Sequence, residues 1–189
     1  VNNWIYPIDK GYVLIDTGYE SGFAHFKKQL AKMQIAPQQI RYIFLTHAHD
    51  DHAGYLNEVL SECPDLQIVM SDKALERLYR GQNSFHGGCT TKIALFFCYL
   101  MKFVGKGKHL FPSIKQEYQC RCIQVTEQNR KQVELLLQGK IIDTPGHTAD
   151  SISLLLNDGS LFCGDAAMNG LPSLHRITIW AEDKTAFLK

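Results

Sequence analysis

Short apolar runs alternate with amphipathic stretches along the chain, the rhythm of strands that hand over to helices. Tyr12-Val13-Leu14-Ile15-Asp16 reads as a core strand. Residues 22–33 read as a helix, because Phe23, Phe26, Leu30 and Met33 fall at three- and four-residue steps. A strand over 41–46, a helix over 53–62, a strand over 66–70 and a helix over 72–79 follow. Further on, the pattern predicts strands near 121–126, 132–137, 140–144, 152–157 and 160–163 that build a second sheet, with Asn157-Asp158-Gly159 as a hairpin turn. Ile177-Thr178-Ile179-Trp180 reads as one more strand. The pattern is that of two sheet-and-helix halves, with no linker and no low-complexity tract.

Residues 81–119 interrupt this rhythm. Gly81 to Cys89 is polar and glycine-rich, and Thr90 to Val104 reads as a helix rich in Ile93, Leu95, Phe96, Phe97, Tyr99, Leu100, Met101 and Phe103. Such an insertion either packs on the body of the protein, forms a dimer surface, or lies over a cleft as an apolar lid. Its two histidines, His86 and His109, belong to no ligand motif.

Candidate chemistry concentrates in His47-Ala48-His49-Asp50-Asp51-His52, which follows the apolar run Arg41 to Thr46 and precedes the helical spacing of Ala53 to Leu60. In extended or tightly turned backbone, His47 and His49 can aim their rings the same way. Asp51 and His52 then serve a second position. Neutral imidazole suits zinc, iron and related ions, and a carboxylate helps to hold a second cation close to the first. Two later strand ends supply further donors. The turn Thr144-Pro145-Gly146-His147-Thr148 presents His147 as a third ligand to the first ion, and Leu161-Phe162-Cys163-Gly164-Asp165 ends on a carboxylate able to bridge two ions.

Together with Leu14-Ile15-Asp16-Thr17-Gly18, these segments resemble the successive motifs of the metallo-β-lactamase-fold hydrolases, over essentially the whole chain. The resemblance implies an α/β fold, a four-layer αββα sandwich, with 81–119 as a helical insertion. It also implies that His47, His49 and His147 hold a first metal, and that Asp51, His52 and Asp165 hold a second, with Asp165 bridging. Asp50 occupies the variable position of the motif and is not assigned. Asp165 rather than Cys163 at the bridging position points to the glyoxalase II-like or lactonase-like branch rather than to antibiotic hydrolysis. Asp16 is expected either to fix a ligand ring or to stabilise its turn.

One feature departs from the family pattern, which commonly adds a final histidine from a strand end well beyond the bridging Asp. His175 is the only histidine after Asp165, lies ten residues on, and is expected not to be a ligand. Glu182 to Lys189 reads as the opening of an amphipathic helix with acidic residues in its first turn. The expectation is a single domain over 1–189 that is incomplete at its carboxyl end.

Composition narrows the reading. At 189 residues and 45% hydrophobic, the chain suits one well-formed core. A formal net charge of +1 gives no general pull toward nucleic acid or anionic membrane. Lys102, Lys106 and Lys108 read as a solvated loop. No run approaches the ~20 apolar residues that span a bilayer. The six cysteines are scattered, and Cys120 and Cys122 are expected to share one side of a strand; reduced thiols in a cytoplasmic protein are the simplest account.

The function expected from all this is hydrolysis of an ester, thioester or lactone of a small acyl substrate, with Asp51 orienting the nucleophile. The cofactor is expected to be zinc, two ions, with iron or manganese as alternatives. A bound divalent ion lowers the pKa of its water from 15.7 to about 7 and so delivers hydroxide at neutral pH. Partners are expected to be a small-molecule substrate, with no nucleic acid and no membrane; a homodimer is left open. The alternatives are an iron-containing redox protein of the same fold and a metal-binding protein without turnover.

Overall fold

The computed structural model describes residues 3–103, 107–169, 173 and 176–188. In chain order the elements are β1 (Trp4–Ile8), β2 (Gly11–Ile15), α1 (Phe23–Lys32), β3 (Ile40–Phe44), α2 (Leu56–Glu62), β4 (Gln67–Ser71), α3 (Ala74–Arg80), β5 (Gly88–Cys89), α4 (Lys92–Phe103), β6 (Cys122–Val125), α5 (Arg130–Leu137), β7 (Gly139–Asp143), β8 (Ile152–Leu156), β9 (Leu161–Phe162), β10 (Trp180–Ala181) and α6 (Lys184–Phe187).

A five-stranded sheet has the order β1-β2-β3-β4-β6, a three-stranded one β7-β8-β9, and β5 pairs with β10 in a short ribbon. The pairs β2–β3, β3–β4 and β4–β6 are parallel, whereas β1–β2 and the whole second sheet are antiparallel. Parallel strands covered on both faces need apolar side chains at successive positions, which is why Val13-Leu14-Ile15 of β2, Ile43-Phe44 of β3 and Ile68-Val69-Met70 of β4 read as short apolar runs. Their side chains alternate faithfully. Leu14, Ile43, Ile68 and Met70 face a core shared with α1, α2 and α3, while Val13, Ile15, Phe44 and Val69 face Ile141, Ile152, Leu154 and Leu156 of the second sheet. Val133 and Leu137 of α5 join that second core. The result is the expected α/β sandwich.

Several expectations are corrected. Residues 132–137 form a helix, not a strand: Val133 and Leu137, one helical turn apart, are the buried positions, and Leu135 and Leu136 of the apolar run point to solvent. The strand near 121–126 exists but completes the first sheet beside β4, because a parallel neighbour needs only a crossover, which 81–119 provides. Of Ile177 to Trp180 only Trp180 is in a strand, paired with Cys89. Cys120 ends in a 3-10 helix and is exposed, so it does not share a strand with Cys122; no disulfide forms among the cysteines. β1 escaped the sequence pattern, since Pro7 breaks its period and only Ile8 is buried, as suits an edge strand. The hairpin at 157–159 is present, with Gly159 at φ +90°. Lys106, Val104 and Gly105 lie outside the described residues, as does His175.

Candidate metal centre

The six candidate ligands come from three loops at the carboxyl ends of strands, where open α/β sheets place ligands. The loop after β3 is fixed from both sheets: Thr17 N donates to His52 O (2.7 Å), Gly54 N to Gly18 O (2.9 Å), and Ile152 N of β8 to Thr46 O (2.9 Å). A Cβ on Gly54 would fall against the backbone of Glu20, Gly18 and Asp50, none of which is a flexible side chain. Gly54→Ala is therefore expected to displace the ligand loop and lower stability by about 2–3 kcal/mol. Thermal unfolding together with metal content measures both effects; an unchanged midpoint would show that the loop has room to give.

His47, His49 and His147 offer nitrogen atoms that all lie within 4.8 Å of one another, and the nitrogens of His47 and His52 with a carboxylate oxygen of Asp165 form a second such group. The rings of His47 and His52 are 4.2 Å apart, those of His47 and His49 4.6 Å, and His147 stands 4.8 Å from both His47 and His49. All four imidazoles are buried. Asp51 stands beside this cluster, its Oδ2 3.7 Å from His52 Nε2, which lies 3.4 Å from Asp165. All six residues expected at the site are thus brought to one place.

The hydrogen bonds set the tautomers. Thr46 Oγ1 donates to Asp16 Oδ2 (2.8 Å), so toward His47 Nδ1 (3.0 Å) it accepts, and Nδ1 carries the proton. His147 Nδ1 donates to Trp180 O (2.8 Å), and His52 Nδ1 donates to Asp16 Oδ2 (2.8 Å). Each of these rings therefore turns an Nε2 toward the cluster. His47 Nε2 and His49 Nε2 are buried without any hydrogen-bond partner among the described residues. A buried orphan nitrogen is costly unless something coordinates it.

Electrostatics agrees with a cation site. Burial, reinforced by the neighbouring imidazoles, pushes His47 and His49 well below the usual histidine range, so both are neutral, the form that binds metal. Burial alone would raise Asp165, but His52, His147 and His49 hold it well below the ordinary carboxylate range. Burial likewise opposes charge on His52, and Asp16, Asp165 and Asp51 overcome it and lift His52 well above the usual value.

Asp16 performs both roles expected of it. It fixes the His52 ring, accepts from Thr46 N (2.7 Å), and holds a left-handed turn at φ +56°. Gly164, at φ +50°, packs so closely on Thr46 that a side chain there would collide with it, and this contact seats Asp165. Asp50 points away from the cluster: its carboxylate takes Asn83 Nδ2 (2.7 Å) and His109 Nδ1 (3.3 Å), which fastens the loop to the insertion. His86 takes part through its backbone oxygen, which accepts from Trp180 Nε1 (3.0 Å).

Two features were not foreseen. Tyr19 flanks the acidic side of the site; burial, then Asp51, Asp50 and Asp165, push its hydroxyl up to about 12. More important is an ion network beneath the ligand loops. Arg77 of α3 pairs through Nε with Asp150 (3.1 Å) and through both terminal nitrogens with Glu182 (2.6 and 2.9 Å). Asp150 in turn accepts from Ala48 N (2.9 Å), and Glu182 accepts from Ala149 N (2.8 Å). One guanidinium thus ties the His47–His49 loop to the His147 loop. The signal available in the sequence was the pair of acids, Asp150 three residues after His147 and Glu182 two after Trp180, but their partner lies about a hundred residues from Glu182 in the chain.

Comparison with known proteins agrees with the fold. A family model described as "Metallo-beta-lactamase superfamily" matches residues 1–177, and the chain belongs to that superfamily. A Cronobacter sakazakii metallo-β-lactamase with a HARLDQ motif superposes with a TM-score of 0.58 at 18% identity, covering 92% of this chain and 56% of that one. The metallo-β-lactamase SMB-1, bound to 2-mercaptoethanesulfonate, gives a TM-score of 0.57 at 16% identity over 89% of this chain and 60% of that one. At this identity the likeness concerns the fold. In sequence, a nitric oxide reductase of Moorella thermoacetica is 34% identical over 74 residues, 38% of this chain and 18% of the relative. A β-lactamase-like protein 2 homologue of Drosophila melanogaster is 25% identical over 157 residues, 82% of this chain and 43% of the relative. The chain therefore spans less than half the length of these two sequence relatives.

Proposed function

We propose that the chain is a metal-dependent hydrolase that cleaves an ester, thioester or lactone bond of a small acyl substrate. The observation that carries this reading is the convergence of His47, His49 and His147, buried and within 4.8 Å of one another, with Nε2 of His47 and of His49 unpartnered. Three imidazoles are a donor set that suits catalytic zinc. His52, Asp51 and Asp165 would hold a second ion. When bound, such ions supply Lewis acidity toward a carbonyl and activate water at neutral pH.

The chain's own residues do the rest. The Asp51 carboxylate accepts a hydrogen bond from the attacking water and orients it. Asp16 keeps the His52 ring in place, and Trp180 O does the same for His147. Tyr19 bounds the acidic side of the site. Asp51→Ala is expected to retain metal at His47, His49 and His147 and to lose most turnover, about a hundredfold or more. Undiminished turnover with thioester and lactone substrates would mean that this carboxylate is not needed.

A second reading is an iron-containing redox protein, favoured by the local match to the nitric oxide reductase and by the donor set His47, His52 and Asp165, two histidines and a carboxylate. A visible absorption band in the purified protein, with no hydrolysis of any ester or lactone, would support it. Colourless protein that turns over these substrates would support the hydrolase.

Among the described residues no helix is long and apolar enough to cross a membrane. We read the described elements as one domain, with a small molecule as the substrate.

A further inference from the structure

Helix α4 is far more apolar than α1 or α5, and among the described residues it is left largely uncovered. Within α4 only Ala94 is fully buried; Phe97, Cys98 and Met101 share its side and are half-buried. The opposite half carries Ile93, Leu95, Phe96, Tyr99, Leu100 and Phe103, with Phe96 72% and Phe103 90% exposed. At 100° per residue these six positions fall within one half-turn of the helix, so they form a single ridge. A contiguous apolar face of this kind marks a surface that meets something.

The charge around it says what. Between Glu76 and Glu117 the sequence holds no Asp or Glu, although the chain has 19 acidic residues in all. Arg77, Arg80 and Lys115 at the margins of that stretch are paired with acids outside it. Lys92 and Lys102, at the two ends of α4, and Lys108 just beyond it form no ion pair among the described residues. The whole-chain charge of +1, which gave no reason to expect a membrane, averages away this local excess. A second copy of the chain fits poorly. Face-to-face association would set the unpaired lysines at the ends of the helix against lysines of the other copy, like charge against like.

We propose that α4 docks the protein on the surface of an anionic phospholipid bilayer, with the Phe96–Phe103 ridge at acyl-chain level and Lys92, Lys102 and Lys108 at the headgroups. This is the arrangement of interfacial helices, in which apolar burial and attraction to anionic lipid add, and in which lysine stems lie along apolar surface while their ammonium groups stay in water. The docking face is joined directly to the metal centre. Cys89 pairs with Trp180, Thr90 N donates to Ile179 O (3.1 Å), and Trp180 O holds His147. Docking would therefore bring the loops of the centre next to the membrane surface. The proposal stands apart from the hydrolase reading, because lipid binding is measured without turnover.

The test is flotation of the full chain with vesicles of phosphatidylcholine alone and of phosphatidylcholine mixed with phosphatidylglycerol, at low and high salt. The chain is expected to float with the mixed vesicles, to bind plain phosphatidylcholine far less, and to detach as salt rises. Phe96→Ser combined with Phe103→Ser is expected to weaken binding about tenfold or more. Lys92→Glu with Lys102→Glu and Lys108→Glu is expected to abolish the preference for anionic lipid while leaving the circular dichroism spectrum unchanged. Absence of flotation with either vesicle would overturn the proposal, as would equal binding to both. A dimer in light scattering that the two Phe→Ser changes dissolve would overturn it in favour of a second copy.

Discussion

His49→Ala protein is expected to stay folded and to lose hydrolytic turnover about a thousandfold or more, together with the metal held by His47 and His147. The two halves of this expectation rest on the same atoms. His49 Nε2 is buried without a hydrogen-bond partner and Nδ1 has one contact among the described residues, with His147 Nε2 (3.1 Å), so alanine forfeits that single bond and some packing while removing an orphan polar atom. A loss of about 1–2 kcal/mol of unfolding free energy in denaturant titration is the expected cost. The same nitrogen-bearing ring sits 4.6 Å from His47 and 4.8 Å from His147, and without it the first donor set falls to two imidazoles. Denaturation, elemental analysis and turnover on one preparation separate these effects. Wild-type turnover by folded, metal-loaded His49→Ala protein would remove this residue from the site.

Arg77→Met is expected to have the largest effect on stability, about 3–5 kcal/mol. It leaves Asp150, which is buried, and Glu182, whose side chain is 6% exposed, without their shared cation. The loss should also loosen metal binding, because Ala48 and Ala149, next to His47, His49 and His147, hang from these two carboxylates. The pH dependence is set by the two acids. Burial raises Glu182, but Arg77 outweighs it and holds this carboxyl below its ordinary 4.5, so in the wild type it contributes stability above that value and loses it as the pH falls. Asp150 is raised, burial exceeding the pull of Arg77, so it opposes folding when ionised. Without Arg77 both carboxyls shift upward and are protonated more readily. The deficit of the variant is therefore largest at neutral pH and shrinks as pH falls toward 4.5. Denaturant titrations of both proteins at neutral and mildly acidic pH measure it; a deficit below about 1 kcal/mol at neutral pH would mean that the network is not structural.

The parts of the fold legible in the sequence were those whose burial is uniform. β2, β3 and β4 are covered on both faces, so their apolar runs could be read directly, and Gly146 after β7 and Gly164 after β9 marked the turns that carry His147 and Asp165. α5 was misread as a strand because three consecutive leucines conceal a helix that buries Val133 and Leu137. The candidate donors His47, His49, Asp51 and His52 were visible because they crowd into six residues, whereas His147 and Asp165 stood out only beside their turns. What sequence spacing does not carry is long-range pairing. Arg77 meets Glu182, and the ribbon of β5 with β10 sets Trp180 O beneath His147, across separations that no local pattern records. The exposed face of α4 was visible as an apolar helix, but whether it faced a core or solvent required the packing of its neighbours.

The proposed ion-binding hydrolytic centre is tested most directly by metal content per chain, measured by elemental analysis on protein purified without chelator, with turnover of thioester and lactone substrates assayed on the same sample. Zinc is expected at His47, His49 and His147, with a second ion at Asp51, His52 and Asp165, and turnover that chelation removes and zinc restores. Protein that carries no zinc, or that carries it and turns over neither substrate class, would contradict a zinc-dependent hydrolytic centre.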